Sequence, residues 1–149
     1  MCALATGFVL IDDEPDDIFF LRRRLFQAGI RDPVATFESG ADAVCFLDAA
    51  ADKSTVPTWV FIDVTMPATP GLQLLREMRA VPKFSSVRIA MLSNVVRPHE
   101  VEDATANGAD AFLQKFPTPN LLRDMIANPT GRFGLHGGTF IGDVTTTLV

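Results

Sequence analysis

Apolar and polar positions fall into blocks along this chain, and the blocks change period. Uninterrupted apolar runs occupy residues 8–11, 59–62 and 89–92. Between them, apolar residues recur every three or four positions. A short unbroken run predicts a strand buried on both faces. The longer spacing predicts a helix with one buried stripe. On this reading residues 8–12 are a first strand. A helix begins at Pro15, where a missing N–H is harmless, carries Ile18, Leu21, Leu25 and Ala28, and closes at Gly29.

The alternation then repeats. Residues 33–37 are a second strand and 41–47 a second helix, followed by a polar loop over 51–58. Trp59–Asp63 is a third strand. Gly71 opens a helix with Leu72, Leu75 and Met78, and Pro82 ends it. Residues 87–92 form a fourth strand ending at Ser93. Residues 98–107 form a fourth helix, stopped by Gly108. Residues 111–113 and Pro119–Ala127 complete the pattern. Five βα repeats predict an α/β fold over residues 7–128, a (βα)5 doubly wound, five-stranded parallel sheet. Beyond them residues 129–149 form a glycine-punctuated C-terminal extension. It contains two β-prone stretches, 139–141 and 144–149.

Composition narrows the function. Apolar content of 48% supports a real core in a chain of 149 residues, one domain's length. A net charge of −5 argues against nonspecific nucleic-acid binding. The first six residues lack a basic stretch and a long apolar run, so no signal peptide is read. No apolar stretch approaches a membrane span's length. Cys2 and Cys45 have no metal-binding spacing. Cys45 lies in an apolar helical pattern and is expected to be a core thiol; a cytoplasmic location follows as the expectation. His99 and His136 are expected on a helix surface and in the tail.

The candidate chemistry sits where the strands stop. The first strand ends at Asp12 and Asp13, the third at Asp63, the fourth at Ser93, and the fifth just before Lys115. In open α/β sheets the carboxyl edge of the strands is where ligands bind. Gathered carboxylates repel one another unless a cation intervenes. An all-oxygen donor set of this density suits Mg²⁺. With charge neutralised, a carboxylate can receive a phosphoryl group, a reaction that needs mainly positioning. Lys115 supplies further positive charge, and Ser93 a hydroxyl for a phosphoryl oxygen. Taken singly, each residue has a plain reading: helix cap, turn residue, loop hydroxyl, solvated charge. In order at successive strand ends, they point to one site.

That arrangement resembles the receiver domain of two-component response regulators. Asp12 and Asp13 match its acidic pair and Asp63 its phosphoacceptor. Met66-Pro67 and Gly71 follow at the family's offsets. Ser93 matches the switch hydroxyl, Phe112 the switch aromatic and Lys115 the conserved lysine. Thirty positions separate Asp63 from Ser93 and twenty-two separate Ser93 from Lys115, as in the family. The resemblance implies a flavodoxin/CheY-like fold. It also implies Mg²⁺ held by Asp12, Asp13, Asp63 and the backbone carbonyl of Thr65. A histidine kinase, phytochrome-type by the character of residues 12–21, would donate the phosphoryl group. The docking surface would lie on the first helix around Phe19, Arg22 and Arg23.

The implied protein is a phosphoacceptor rather than an enzyme. It would be a single-domain regulator that signals through protein contacts, with no DNA or membrane partner. Its extension would serve as a tail or a dimerisation arm, making a homodimer. One departure stands out: the family proline after the lysine is displaced, giving Lys115-Phe116-Pro117. Because a cis bond before a non-proline residue is costly, the expectation is a different loop path and a less firmly held Lys115. Two rivals follow. A haloacid-dehalogenase-like phosphatase needs a second Asp where Thr65 stands. A degenerate receiver would act as a phosphorylation-independent interaction module.

Overall fold

The computed structural model describes residues 7–53, 55–128 and 130–135. Cys2, His136 and the β-prone stretches of the extension lie outside these residues. The elements alternate as β1 (Phe8–Ile11), α1 (Pro15–Gln27), β2 (Val34–Phe37), α2 (Gly40–Asp52), β3 (Trp59–Asp63), α3 (Gly71–Arg79), β4 (Arg88–Ser93), α4 (Pro98–Ala106), β5 (Ala111–Gln114) and α5 (Pro119–Ala127). A short 3₁₀ turn, Pro82–Phe84, follows α3. The five strands are parallel, in the order β2-β1-β3-β4-β5. This is the doubly wound (βα)5 sheet that the sequence predicts.

Strand alternation divides the core in two. Val9, Ile11, Val60, Ile62, Ile89 and Met91 point to one face, where Leu47 of α2, Leu74 and Met78 of α3 and Val101 of α4 pack. Phe8, Leu10, Trp59, Phe61, Ala90 and Leu92 point to the other, against Leu21 and Leu25 of α1 and Leu121 and Met125 of α5. Period-two alternation in each strand sends successive side chains to opposite faces. Every residue of β3 is buried and the strand is paired on both sides, so the carboxylate at its end is carried by a strand packed along its whole length. Each large apolar side chain buried this way contributes roughly 1.5–3 kcal/mol.

Two local expectations are corrected. Helix α2 runs to Asp52, well past residue 47. Ala49, Ala50 and Ala51 are strong helix formers, and Ala50 extends the buried stripe of Ala43 and Leu47. The connection to β3 is correspondingly shorter. Cys45 is exposed and not a core thiol. It is two positions from both Ala43 and Leu47, which places it on the far side of the helix from their stripe. Ser39 begins α2 by accepting a hydrogen bond from the Asp42 backbone N–H at 3.2 Å. His99 is exposed on α4, as expected. Among the described residues no helix is long and apolar enough to cross a membrane.

The strand order reverses between β1 and β3. β1 leads outward to β2, and β3 leads the other way to β4 and β5. The divergence leaves a crevice at the carboxyl ends of β1 and β3, the location doubly wound sheets use for ligands.

Candidate functional site

Asp12 and Asp13 emerge from β1 into that crevice. The backbone N–H of Asp12 still bonds Phe37 O at 3.0 Å, so the sheet ladder positions it. Its Oδ1 accepts from the Glu14 N–H at 2.9 Å, fixing the turn into α1. Asp63 stands at the end of β3. The backbone just beyond it is tied to the neighbouring strand, Val64 N–H donating to Leu92 O at 2.8 Å. Gly71, the first residue of α3, closes over this turn. Its N–H donates to Val64 O at 2.9 Å, and a Cβ there would lie 2.1 Å from the carbonyl oxygen of Asp63.

Lys115 reaches in from the end of β5. Its ammonium donates to Asp12 Oδ2 at 2.7 Å and to Asp17 Oδ2 at 2.7 Å, and stands 3.2 Å from Asp63 Oδ1. Its side chain is only 2% exposed. The expectation of a loosely held Lys115 is therefore corrected. The Lys115–Phe116 peptide is cis, and three carboxylates anchor the ammonium. Asp17 was not among the site residues read from the sequence. In the first turn of a helix an acid reads as a partner for the macrodipole, and only the fold brings it to Lys115.

The electrostatics follow from this crowding. Burial pushes the Asp63 carboxyl up from 3.8 to about 6, and the charge on Asp12 pushes the same way; Lys115 and the Thr65 backbone oppose them. Asp12 is also raised, chiefly by burial, against the pull of Lys115 and the Glu14 N–H. For Lys115, burial alone would favour loss of the proton. Its hydrogen bonds to Asp12 and Asp17 and the charges of Asp12 and Asp63 win, and hold it above the ordinary lysine range. One ammonium thus serves more carboxylates than it can neutralise.

The donor set fits a hard divalent cation. Asp12, Asp13 and Asp63 each offer a ligand oxygen, and these atoms all lie within 4.8 Å of one another. Two of the three residues are buried and Asp13 half-buried. All-oxygen ligation with residual negative charge is what Mg²⁺ requires. Thr65 lies two residues beyond Asp63 with an exposed side chain.

Ser93 ends β4 and is 4% exposed. Its hydroxyl donates to Val95 O at 2.6 Å and accepts from Val95 N–H at 3.2 Å. It is thus engaged by its own loop. Phe112 is in β5, buried in the same cluster as Val101 and Ala104 of α4. Phe19 is 59% exposed. With Arg22 and Arg23 it lines a groove of about 780 Å³ that also takes in Phe26, Ile30 and Pro33, between α1 and the start of β2. Phe20, 47% exposed, packs against Phe116 in a tilted arrangement with ring centroids 5.7 Å apart. Phe116 so carries the displaced-proline loop against α1.

The structure brings Asp12, Asp13, Asp63 and Lys115 together directly. Ser93 stands at the end of β4, next to β3, while Phe19, Arg22 and Arg23 lie on the outer face of α1.

The model of the response regulator receiver domain matches residues 8–127. The chemotaxis protein CheY1 of Helicobacter pylori (strain J99) is 29% identical over 118 residues, covering 79% of this chain and 91% of that protein. A two component response regulator from Cytophaga hutchinsonii superposes with a TM-score of 0.77 at 21% identity, covering 85% of this chain and 98% of that one. The bacteriophytochrome response regulator AtBRR superposes with a TM-score of 0.72 at 20% identity, covering 86% and 94% respectively. These two likenesses establish the flavodoxin/CheY-like fold. With the family model spanning nearly the whole sheet and its helices, the chain belongs to the response regulator receiver domain family.

Proposed function

We propose that Asp63 accepts a phosphoryl group from a phosphohistidine of a histidine kinase. The observation that carries this reading is the convergence of Asp63, Asp12, Asp13 and Lys115 in one crevice. A carboxylate oxygen of Asp63 attacks the phosphorus. The phosphorus–nitrogen bond to the imidazole breaks, and the ring leaves with that electron pair and takes up a proton. Mg²⁺, held by Asp12, Asp13, Asp63 and the carbonyl of Thr65, would neutralise phosphoryl oxygens. Lys115 stands within reach of Asp63 and offers charge to the same oxygens. Water later cleaves the acyl phosphate.

The phosphorylated Asp63 then offers Ser93 a better acceptor than Val95 O. Ser93 turns toward it, Phe112 shifts into the vacated space, and the face made by α4, β5 and α5 changes shape. Phosphorylation favours one of two existing states. The kinase, of the phytochrome type, docks on α1 at Phe19, Arg22 and Arg23. Exposed aromatic and cationic side chains around an apolar groove fit a helix carrying apolar and acidic residues. Residues 7–128 act as the receiver and residues 129–149 as a tail or arm that makes a homodimer. The protein works in the cytoplasm through protein contacts, without DNA or membrane.

The test uses acetyl phosphate, Mg²⁺ and intact-mass measurement. Wild type is expected to gain one labile phosphoryl group and Asp63→Asn none. Continuous turnover of the donor would point to a phosphatase. No adduct, even with the cognate kinase, would leave a phosphorylation-independent module. A second prediction isolates docking. Reversing the charges of Arg22 and Arg23 to Glu should slow transfer from the kinase by about tenfold or more, while transfer from acetyl phosphate stays unchanged. Equal losses with both donors would reject the docking surface.

A further inference from the structure

The outer edge of β5 is not bare. After α5 the chain turns at Asn128 and comes back along it. Phe133 forms a parallel bridge with Ala111. The Phe112 N–H donates to Phe133 O at 2.8 Å, and the Phe133 N–H to Asp110 O at 3.1 Å. Edge strands present unpaired backbone groups, and here residues beyond the fifth helix cover them.

This return is pinned at its base. The Arg88 guanidinium donates to Asn128 O at 2.8 Å and also to Gly131 O, while lying 4.4 Å from the Trp59 ring centroid. Arg132 donates to Ala109 O at 3.3 Å. Phe133 is 2% exposed and packs in the cluster under α1 and α5. Leu135 is 5% exposed and packs in the opposite cluster, the one that holds Val101, Ala104 and Phe112. In a regular strand these two residues would share a face. Gly134 sits between them at φ +76°, a left-handed conformation that glycine adopts without penalty. The turn sends Leu135 to the other side, so the segment clips over the edge of the sheet.

We infer that residues 130–135 are a latch whose release is coupled to phosphorylation, an inference that rests on the phosphoacceptor reading of Asp63. The latch bonds the backbone of Phe112 and covers the cluster that holds its ring. It is closed in the state where Ser93 is engaged by Val95. When Ser93 turns to a phosphoryl group and Phe112 shifts, the hydrogen bond to Phe133 and the seat of Leu135 are both disturbed. A phosphoryl group that opens the latch must, by linkage, bind more tightly when the latch is already loosened. The signal is then read as freeing of the segment that leads into the extension, together with the β5 edge that it covers.

The experiment uses the full chain with Mg²⁺ and beryllofluoride as the phosphoryl analogue. Amide hydrogen exchange is read residue by residue. On saturation, the Phe112 and Phe133 amides should exchange about tenfold faster or more, with Leu10 and Val60 unchanged. Leu135→Ala should bind the analogue about fivefold more tightly than wild type. Unmoved amides in the saturated protein, or unchanged or weaker binding by Leu135→Ala, would overturn the latch and leave the phosphoacceptor intact. Failure of wild type to bind the analogue, or binding by Asp63→Asn as tight as wild type's, would instead remove the phosphoacceptor reading, and the latch with it.

Discussion

Replacing Lys115 by methionine should destabilise the folded chain by about 3–5 kcal/mol in the presence of a chelator. The ammonium touches Asp12, Asp17 and Asp63 at 2.7, 2.7 and 3.2 Å. Its removal leaves two buried carboxylates and one partly buried carboxylate without the ammonium that pairs them. Methionine keeps most of the side chain's apolar length, so the loss reports charge rather than packing. Urea unfolding measures it. Adding Mg²⁺ should restore more stability to the variant than to wild type, because the ion and the ammonium relieve the same repulsion. A loss below about 1 kcal/mol, the range of exposed ion pairs, would mean that Lys115 does not balance the cluster.

Asp63→Asn supplies the opposite sign. The Asp63 carboxyl is raised from 3.8 to about 6. Between those values the native state holds a proton that the unfolded chain has released. Its contribution to stability therefore falls as the pH rises through that window. Above it the charged group costs on the order of 2–3 kcal/mol. The asparagine variant should be more stable than wild type at neutral pH without Mg²⁺, with a flatter slope between about pH 4 and 6. Lys115 has the same sign in a different window: with its pKa raised, its stabilisation persists through neutral pH and is lost as the pH rises into the strongly alkaline range.

Gly71→Ala is expected to cost about 3 kcal/mol or more, at or beyond the upper end of overpacking penalties. The added Cβ would meet Asp63 O at 2.1 Å, Asp63 C at 2.9 Å and Val64 Cα at 2.9 Å. All three are backbone atoms, so no rotamer change relieves the contact. Either α3 or the end of β3 must move, and the end of β3 carries Asp63. Denaturant unfolding should show the loss, and phosphorylation by acetyl phosphate should slow in whatever fraction folds. A variant as stable as wild type would show that α3 can withdraw freely from the strand.

Sequence pattern alone was enough for the central strands because parallel strands covered on both faces are almost wholly apolar. Trp59–Asp63 is such a run, and its one acid had to mark an end. The helix boundaries were less legible. In α2 the residues after Leu47 are Asp48, Ala49, Ala50 and Ala51, which carry no strong periodic signal. The alanines favour a helix, and packing of Ala50 onto the core carries it on to Asp52. Cys45 failed for a related reason, since an apolar neighbourhood in sequence does not say which side of the helix a residue faces.

At the site, the acids and the lysine were visible as residues that end strands. Asp17 was not, because its partner lies 98 positions away. The latch was invisible for the same kind of reason: Phe133 and Leu135 look like two apolar residues in a glycine-rich tail. What the sequence determined by itself was the set of strand ends and the order of chemistry along them, because burial of a strand constrains every residue in it. Tertiary structure alone decided which acids share the ammonium, which glycine must yield to a carbonyl, and where the chain goes after its fifth helix. Those are contacts between distant segments, and local patterns of polarity do not encode them.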